Sequence, residues 1–184
     1  MKDRNYCLNL LKEYTKSDSL LKHAYSVECC VRAYAEKFDE DAEFWGNVGL
    51  LHDFDYEMFP GADQHPFEGA KILKEKGFSE EFTDSVLSHA DYANVPRDTT
   101  LKKVLFACDE LAGLITAVAY VRPSRSVEEV EVKSVLKKMK DKAFAKNVSR
   151  EDIKKGAEEL GIALEGHIAF CIEAMRKRKT ILGL

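Results

Sequence analysis

Apolar residues in this chain recur at helical spacing nearly throughout, and the strict alternation that marks a half-buried strand is almost missing. EEVEVKSV, Glu128 to Val135, is the only short strand-like run. Such a chain can bury its apolar stripes only by packing helix on helix, so the expected fold class is all-α. Leu8, Leu11 and Tyr14 give a first apolar face. Ser17 or Asp18 can cap a second helix that runs to about Phe38. Its inner face holds Leu20, Ala24, Val27, Val31 and Tyr34, with His23 close by. A third helix covers roughly 41–53, with Phe44, Val48 and Leu51 inward.

The loop DYEMFPGADQHP follows, and Pro60, Gly61 and Pro66 exclude regular helix from it. Helices are expected again over 67–76 and 79–90, with Gly77 as the stop between them. After NVPRDTT, Asp98 or Thr99 caps a long apolar helix, LKKVLFACDELAGLITAVAYV. RPSRS, Arg122 to Ser126, is the clearest boundary and divides the chain into residues 1–121 and a helical C-terminal extension, 122–184, packed on them. The extension opens with a lysine-rich stretch that has an apolar stripe at Val132, Val135, Met139 and Ala143. Ser149 to Asp152 reads as a capping box, Gly161 ends that helix, and a last one spans about 164–179. Lys133, Lys137, Lys138, Lys140, Lys142 and Lys146 read as a solvated face, because Glu128, Glu129, Glu131 and Asp141 partly offset them.

A chain of 184 residues with net charge −4 suits one compact domain, and the charge excludes the strongly basic balance of a nucleic-acid binder. No apolar run approaches the ~18 residues of a membrane span. The start, MKDRNYCLNLLKEY, lacks the apolar block of a signal peptide, so a cytoplasmic location is expected. Cys7, Cys29, Cys30, Cys108 and Cys171 form no CxxC pair and read as small buried apolar residues rather than a disulfide framework or a thiolate zinc site.

Polar residues then stand out against this apolar background. Asp109 sits within VLFACDELAGL, one helical turn from Leu105, Phe106, Ala112 and Gly113. An ionised carboxylate on that face is costly unless it is paired or bound to a metal; the other reading is a helix rotated so that Asp109 and Glu110 meet water. His23 flanks an apolar stripe, and GLLHDFDYE ends an apolar run on His52 and Asp53. Alone, each has an ordinary structural explanation. Together they are nitrogen and oxygen donors from three helices, a set suited to manganese, iron, cobalt, nickel or zinc, with magnesium possible. Of five histidines, only His167 lies in the C-terminal part; His65 follows the doublet in the proline-containing loop, and His89 ends the next helix in VLSHAD.

The order His23, His52–Asp53, Asp109 resembles the HD superfamily of metal-dependent phosphohydrolases, over roughly Leu20 to Val121. HPFEGA, from His65, and LSHAD, with His89, resemble the extra histidines of members that hold two metals. No GYP follows His89, unlike the cyclic-di-nucleotide phosphodiesterase branch, and FDYE matches the alarmone hydrolase pattern only in part. The resemblance implies an HD-domain-like helical bundle with a first divalent cation on His23, His52, Asp53 and Asp109. His65 and His89 would hold a second cation or hydrogen-bond the substrate phosphate. Asp53, with Asp55 or Glu57 as general base, would serve catalysis. Lys71 is the first candidate for phosphate binding, followed by Arg97 and Arg122. The expected function is hydrolysis of a phosphoester of a small molecule, such as a nucleotide, by metal-activated water. The expected protein is a monomer or homodimer without nucleic-acid or membrane partners. A two-iron oxygenase of the same fold and a non-catalytic nucleotide-sensing module are the alternatives.

Overall fold

Helices begin where a short polar side chain can take over free backbone N–H groups. In the computed structural model, which describes residues 2–184, Asp3 accepts from the amide of Tyr6 and opens α1 (Arg4–Tyr14). Ser17 precedes α2 (Asp18–Lys37), and Asp41 accepts from Glu43 and Phe44 at the start of α3 (Ala42–Leu51). α4 (Phe67–Glu75) follows Pro66, and Ser79 caps α5 (Glu80–Leu87). Thr99 caps the long α6 (Thr100–Tyr120). α7 (Val132–Met139) comes next, and Ser149 accepts from Asp152 at the start of α8 (Arg150–Glu159). α9 (Leu164–Lys177) and the short α10 (Lys179–Leu182) complete the chain. No strand forms among the described residues. EEVEVKSV instead folds as a 3-10 turn, Val127–Glu129, leading into α7, since no neighbouring strand offers its backbone a ladder.

Several ends fall short of the sequence expectation. α3 stops at Leu51, and His52 to Met58 turn away from its axis; α5 stops at Leu87, before His89. α7 ends at Met139, so Ala143 lies outside its apolar stripe. Asp141 takes the amides of Ala143 and Phe144 there. The Arg150 guanidinium gathers the carbonyls of Phe144, Ala145 and Val148 from the same turn segment.

α2 packs against α3, α6 and α9, and α6 packs against α2 and α8. One continuous apolar core results, running from Leu11 and Val31 through Leu105 and Leu111 to Ile153, Ile168 and Met175. α8 approaches α6 so closely that a Cβ on Gly156 would lie 2.5 Å from the Cα of Ala107. No helix among the described residues is long and apolar enough to cross a membrane.

A buried hydrogen-bonded chain fixes α9 on the other two central helices. The Tyr34 hydroxyl of α2 lies 2.7 Å from His167 Nδ1, and His167 Nε2 donates to the carbonyl of Ala107 on α6 at 2.8 Å. Cys108 and Cys171 stand near the same ring. Burial holds both thiols protonated, and both His167 nitrogens are already used, so this group is a satisfied piece of core. Burial also pushes the His167 pKa down, which keeps the ring neutral.

The unfolded ring takes up a proton near pH 6.5, whereas the folded ring resists it. The stabilisation it contributes is therefore complete above about pH 6.5 and is lost as the pH falls towards the depressed folded value. His167→Ala should cost about 1–3 kcal/mol for each buried partner left unsatisfied. Denaturant titrations of wild type and variant should show that difference at pH 8 and a smaller one at pH 5. A pH-independent difference contradicts the assignment.

Candidate metal centre

Two continuous helices and the irregular segments beyond α3 and α5 and before α4 bring the site together. His23 sits in the second turn of α2, and Asp109 midway along α6, two helices that pack face to face. α3 terminates so that His52 caps it and Asp53 leaves in the following turn. The proline-containing loop carries His65 to the foot of α4, and the segment beyond α5 carries His89.

These side chains converge on their Nε2 atoms. His23 Nε2 and His52 Nε2 are 3.1 Å apart, and His65 Nε2 and His89 Nε2 are 3.2 Å apart. Asp109 Oδ1 lies 3.1 Å from His23 Nε2 and 3.4 Å from His52 Nε2. Asp53 divides its oxygens between the pairs. Its Oδ2 is 3.6 Å from His23 and 3.5 Å from His52, and its Oδ1 is 3.3 Å from His65 and 3.2 Å from His89. Two donor groups result, His23–His52–Asp109 and Asp53–His65–His89.

The far side of three of these rings is tied down. Nδ1 of His52 donates to the Gly49 carbonyl at 2.8 Å, and Nδ1 of His89 to the Val86 carbonyl at 2.6 Å. Nδ1 of His65 donates to Asp55 Oδ1 at 2.8 Å. Such bonds fix the tautomer that leaves the Nε2 lone pair facing inward, the usual support for a ligating imidazole. Asp55 is itself buried, and its other oxygen accepts the amide of Gly69. A Cβ on Gly69 would lie 2.7 Å from the Asp55 carboxyl carbon, which is why HPFEGA needs glycine there.

Burial works against charge on these groups, but their mutual attraction prevails. Asp53 and Asp109 are held well below the ordinary carboxylate range by the facing imidazoles. Burial lowers the pKa of His52, but Asp53 and Asp109 raise it further, to about 9. Burial opposes Asp53 and Asp55 in the same way at His65, whose pKa is also raised to about 9. Neutral imidazoles with lone pairs facing one another at such distances repel unless a proton or a cation lies between them. The donor set, nitrogen and carboxylate oxygen without sulfur, fits a divalent cation.

The site opens into a cavity of about 370 Å³. Beyond the ligand set its walls include Tyr56, Tyr92, Phe106, Glu110 and Asp152, and no lysine or arginine lines it among the described residues. Glu110 accepts the amide of Ser149; burial pushes its pKa up to about 7. The sequence signal for Glu110 is its place beside Asp109, whereas Tyr92 and Asp152 carry none.

The remaining sequence candidates lie elsewhere. Glu57 accepts the amides of Lys16 and Ser17, before α2. Lys71 is 65% exposed and pairs with Glu68. Arg97 faces Ser88, Asp91 and Glu159. Arg122 follows the C-terminal end of α6, thirteen residues past Asp109 and so about 20 Å along the helix axis.

A family model described as HD domain matches residues 20–114, just over half of the chain. The chain is also similar to the tRNA (cytidine(56)-2'-O)-methyltransferase of Thermoplasma volcanium, at 33% identity over 87 residues, 47% of this chain and 25% of that protein. The match thus spans about a quarter of that relative's length. No solved structure matches.

Cation binding has to displace the protons that His52 and His65 hold at neutral pH in the metal-free chain. Apparent affinity for manganese or zinc should therefore rise with pH up to about 9, with protons released on binding. Calorimetric titration in two buffers of different ionisation enthalpy counts those protons. A flat affinity with no proton release at pH 7 would contradict the raised pKa values of His52 and His65.

Proposed function

This chain belongs to the HD domain family, and from that premise we propose that it is a metal-dependent phosphohydrolase acting on a small phosphorylated molecule. The observation that carries the reading is Asp53, whose two oxygens serve two imidazole pairs at the floor of an open cavity. In this reading His23, His52 and Asp109 would hold one divalent cation and His65 and His89 a second, with Asp53 facing both. A cation held there supplies a Lewis acid for a phosphoryl oxygen and brings the pKa of a bound water from about 16 to around 7.

The chain's own residues position and exclude. Gly49, Asp55 and Val86 keep three rings from turning, so the ligand atoms need no rearrangement when charge develops. Asp55, engaged on both oxygens, orients His65 rather than taking a proton from water. Among the described residues the walls offer carboxylates and no lysine or arginine, so the charge of a phosphate has to be met at the metal centre. Lys71, Arg97 and Arg122 are engaged or placed elsewhere and do not enter the scheme. Tyr56 and Tyr92 stand in the wall, 41% and 48% exposed, and give a planar ring a surface to stack on, which favours a nucleotide. Similarity to a methyltransferase covers a quarter of that protein, and methyl transfer is not carried over to this chain.

Protein loaded with manganese should release phosphate from at least one member of a phosphomonoester and nucleotide panel. Asp53→Asn should lower kcat/KM at least about 1000-fold, worth about 4 kcal/mol of barrier, with an unchanged helical circular dichroism spectrum. Full activity in that variant, or no release with any divalent cation, sinks the proposal. Oxygen consumption by iron-loaded protein without phosphate release would point to the two-iron oxygenase instead.

A further inference from the structure

His89, like Asp53, stands on irregular backbone just past a helix, and its own helix fixes only the first residues of the segment that carries it. α5 ends at Leu87; beyond Ser88 and His89 the chain makes a 3-10 turn, Asp91–Ala93, and then runs without regular structure to Thr99. The bond from His89 Nδ1 to the Val86 carbonyl sets the ring's rotation but not the path of this segment relative to α6. The amides of Ser88, His89 and Ala90 still donate to Asp84, Val86 and Leu87 of α5, but beyond Ala90 the segment loses that tie and is held through its own Arg97 against α6 and α8.

Arg97 does so from three directions. Its Nη1 donates to the Ser88 carbonyl at 3.2 Å and to Asp91 Oδ1 at 2.7 Å, which brackets His89 on both sides in sequence. Its Nε and Nη2 donate side by side to Glu159 Oε2 and Oε1, at 2.7 and 2.8 Å. Paired parallel bonds of this kind are stronger and more directional than a single contact. The guanidinium carbon lies 3.7 Å from the ring centroid of Phe106, and Phe106 lines the metal cavity. Glu159 is the last residue of α8, where the helix dipole disfavours a carboxylate and the Arg97 fork compensates. Lys155, one turn earlier on α8, reaches Asp91 Oδ2 at 2.6 Å. The Arg97 side chain is only 10% exposed, so this is not a loose surface pair.

We infer that Arg97 is a positioning residue for His89, and that Glu159 of α8 anchors it, so that the C-terminal segment governs the Asp53–His65–His89 half of the centre. The inference rests on the metal reading above and assigns Arg97 away from substrate phosphate. Its mechanical content is that α8 and the His89 segment move together, while His23, His52 and Asp109 are carried directly by α2, α3 and α6, of which α6 also packs on α8.

The test is manganese loading of the full chain, followed by calorimetry and by the paramagnetic resonance signal of a coupled manganese pair. Amide exchange over residues 88–92 is measured alongside in the metal-free protein. Glu159→Ala should weaken loading of the second cation by about 10–100-fold, the usual cost of losing a group that orients a ligand. The first cation should load as before, and the coupled signal should give way to that of an isolated ion. Arg97→Lys, which keeps the charge but loses the fork, should behave similarly, and Glu159→Gln, which keeps one acceptor, should fall between. Exchange over 88–92 should accelerate in Glu159→Ala. If wild type loads two cations and Glu159→Ala matches it in both loading and exchange, the positioning role is wrong. If wild type loads no cation, the metal centre itself is wrong, and the coupling to it falls with it.

Discussion

A single carboxylate facing four imidazoles is the constraint that organises this molecule. Asp53 can be ionised inside the protein only because His52, His65 and His89 surround it, and those rings tolerate one another's nitrogens only because positive charge can reside among them. Neither half is stable as a buried arrangement alone. Helices α2, α3 and α6 have to meet at one depth, and two non-helical segments have to return to the same place. Much of the irregular backbone in the first half of the chain is explained by that demand.

The strain of assembling so many polar groups is met from behind. Carbonyls near the ends of α3 and α5 accept from the rings of His52 and His89, that of Val86 taking the His89 amide as well, so acceptors at helix termini become supports for the site. Asp55 does the same for His65 and is held in turn by the amide of Gly69. The C-terminal helices join through polar contacts placed within apolar packing: His167 between Tyr34 and Ala107, Ser149 on Glu110, and Glu159 on Arg97.

The sequence showed the all-α class and the residues brought together at the cavity floor, because both rest on local signals. Period and capping report helices, and a charge on an apolar stripe reports a polar interior. What stayed illegible was the set of partners. Asp55 and Glu57 look alike beside the doublet, yet one supports a ring and the other caps the approach to α2, a difference decided by loop path. Lys71 follows a helix face, that of Gly69, Ala70 and Leu73, turned to the core, which leaves Lys71 outward. Arg97 and Glu159 are sixty-two residues apart, and no periodicity links them. The apolar pattern runs past the ends of α3, α5 and α7, where side chains bond the nearby backbone: His52 on Gly49, His89 on Val86, and Asp141 on Ala143 and Phe144.

The walls of the cavity have a consequence for ligand capture. Asp53, Glu110 and Asp152 face into a space that no lysine or arginine lines among the described residues. A divalent cation held at the floor would place positive charge beneath these carboxylates and favour an anionic ligand at the mouth. On the metal-dependent reading proposed above, an anionic ligand would bind more tightly once the cation is in place, so that scarcity of the metal would limit ligand capture before turnover.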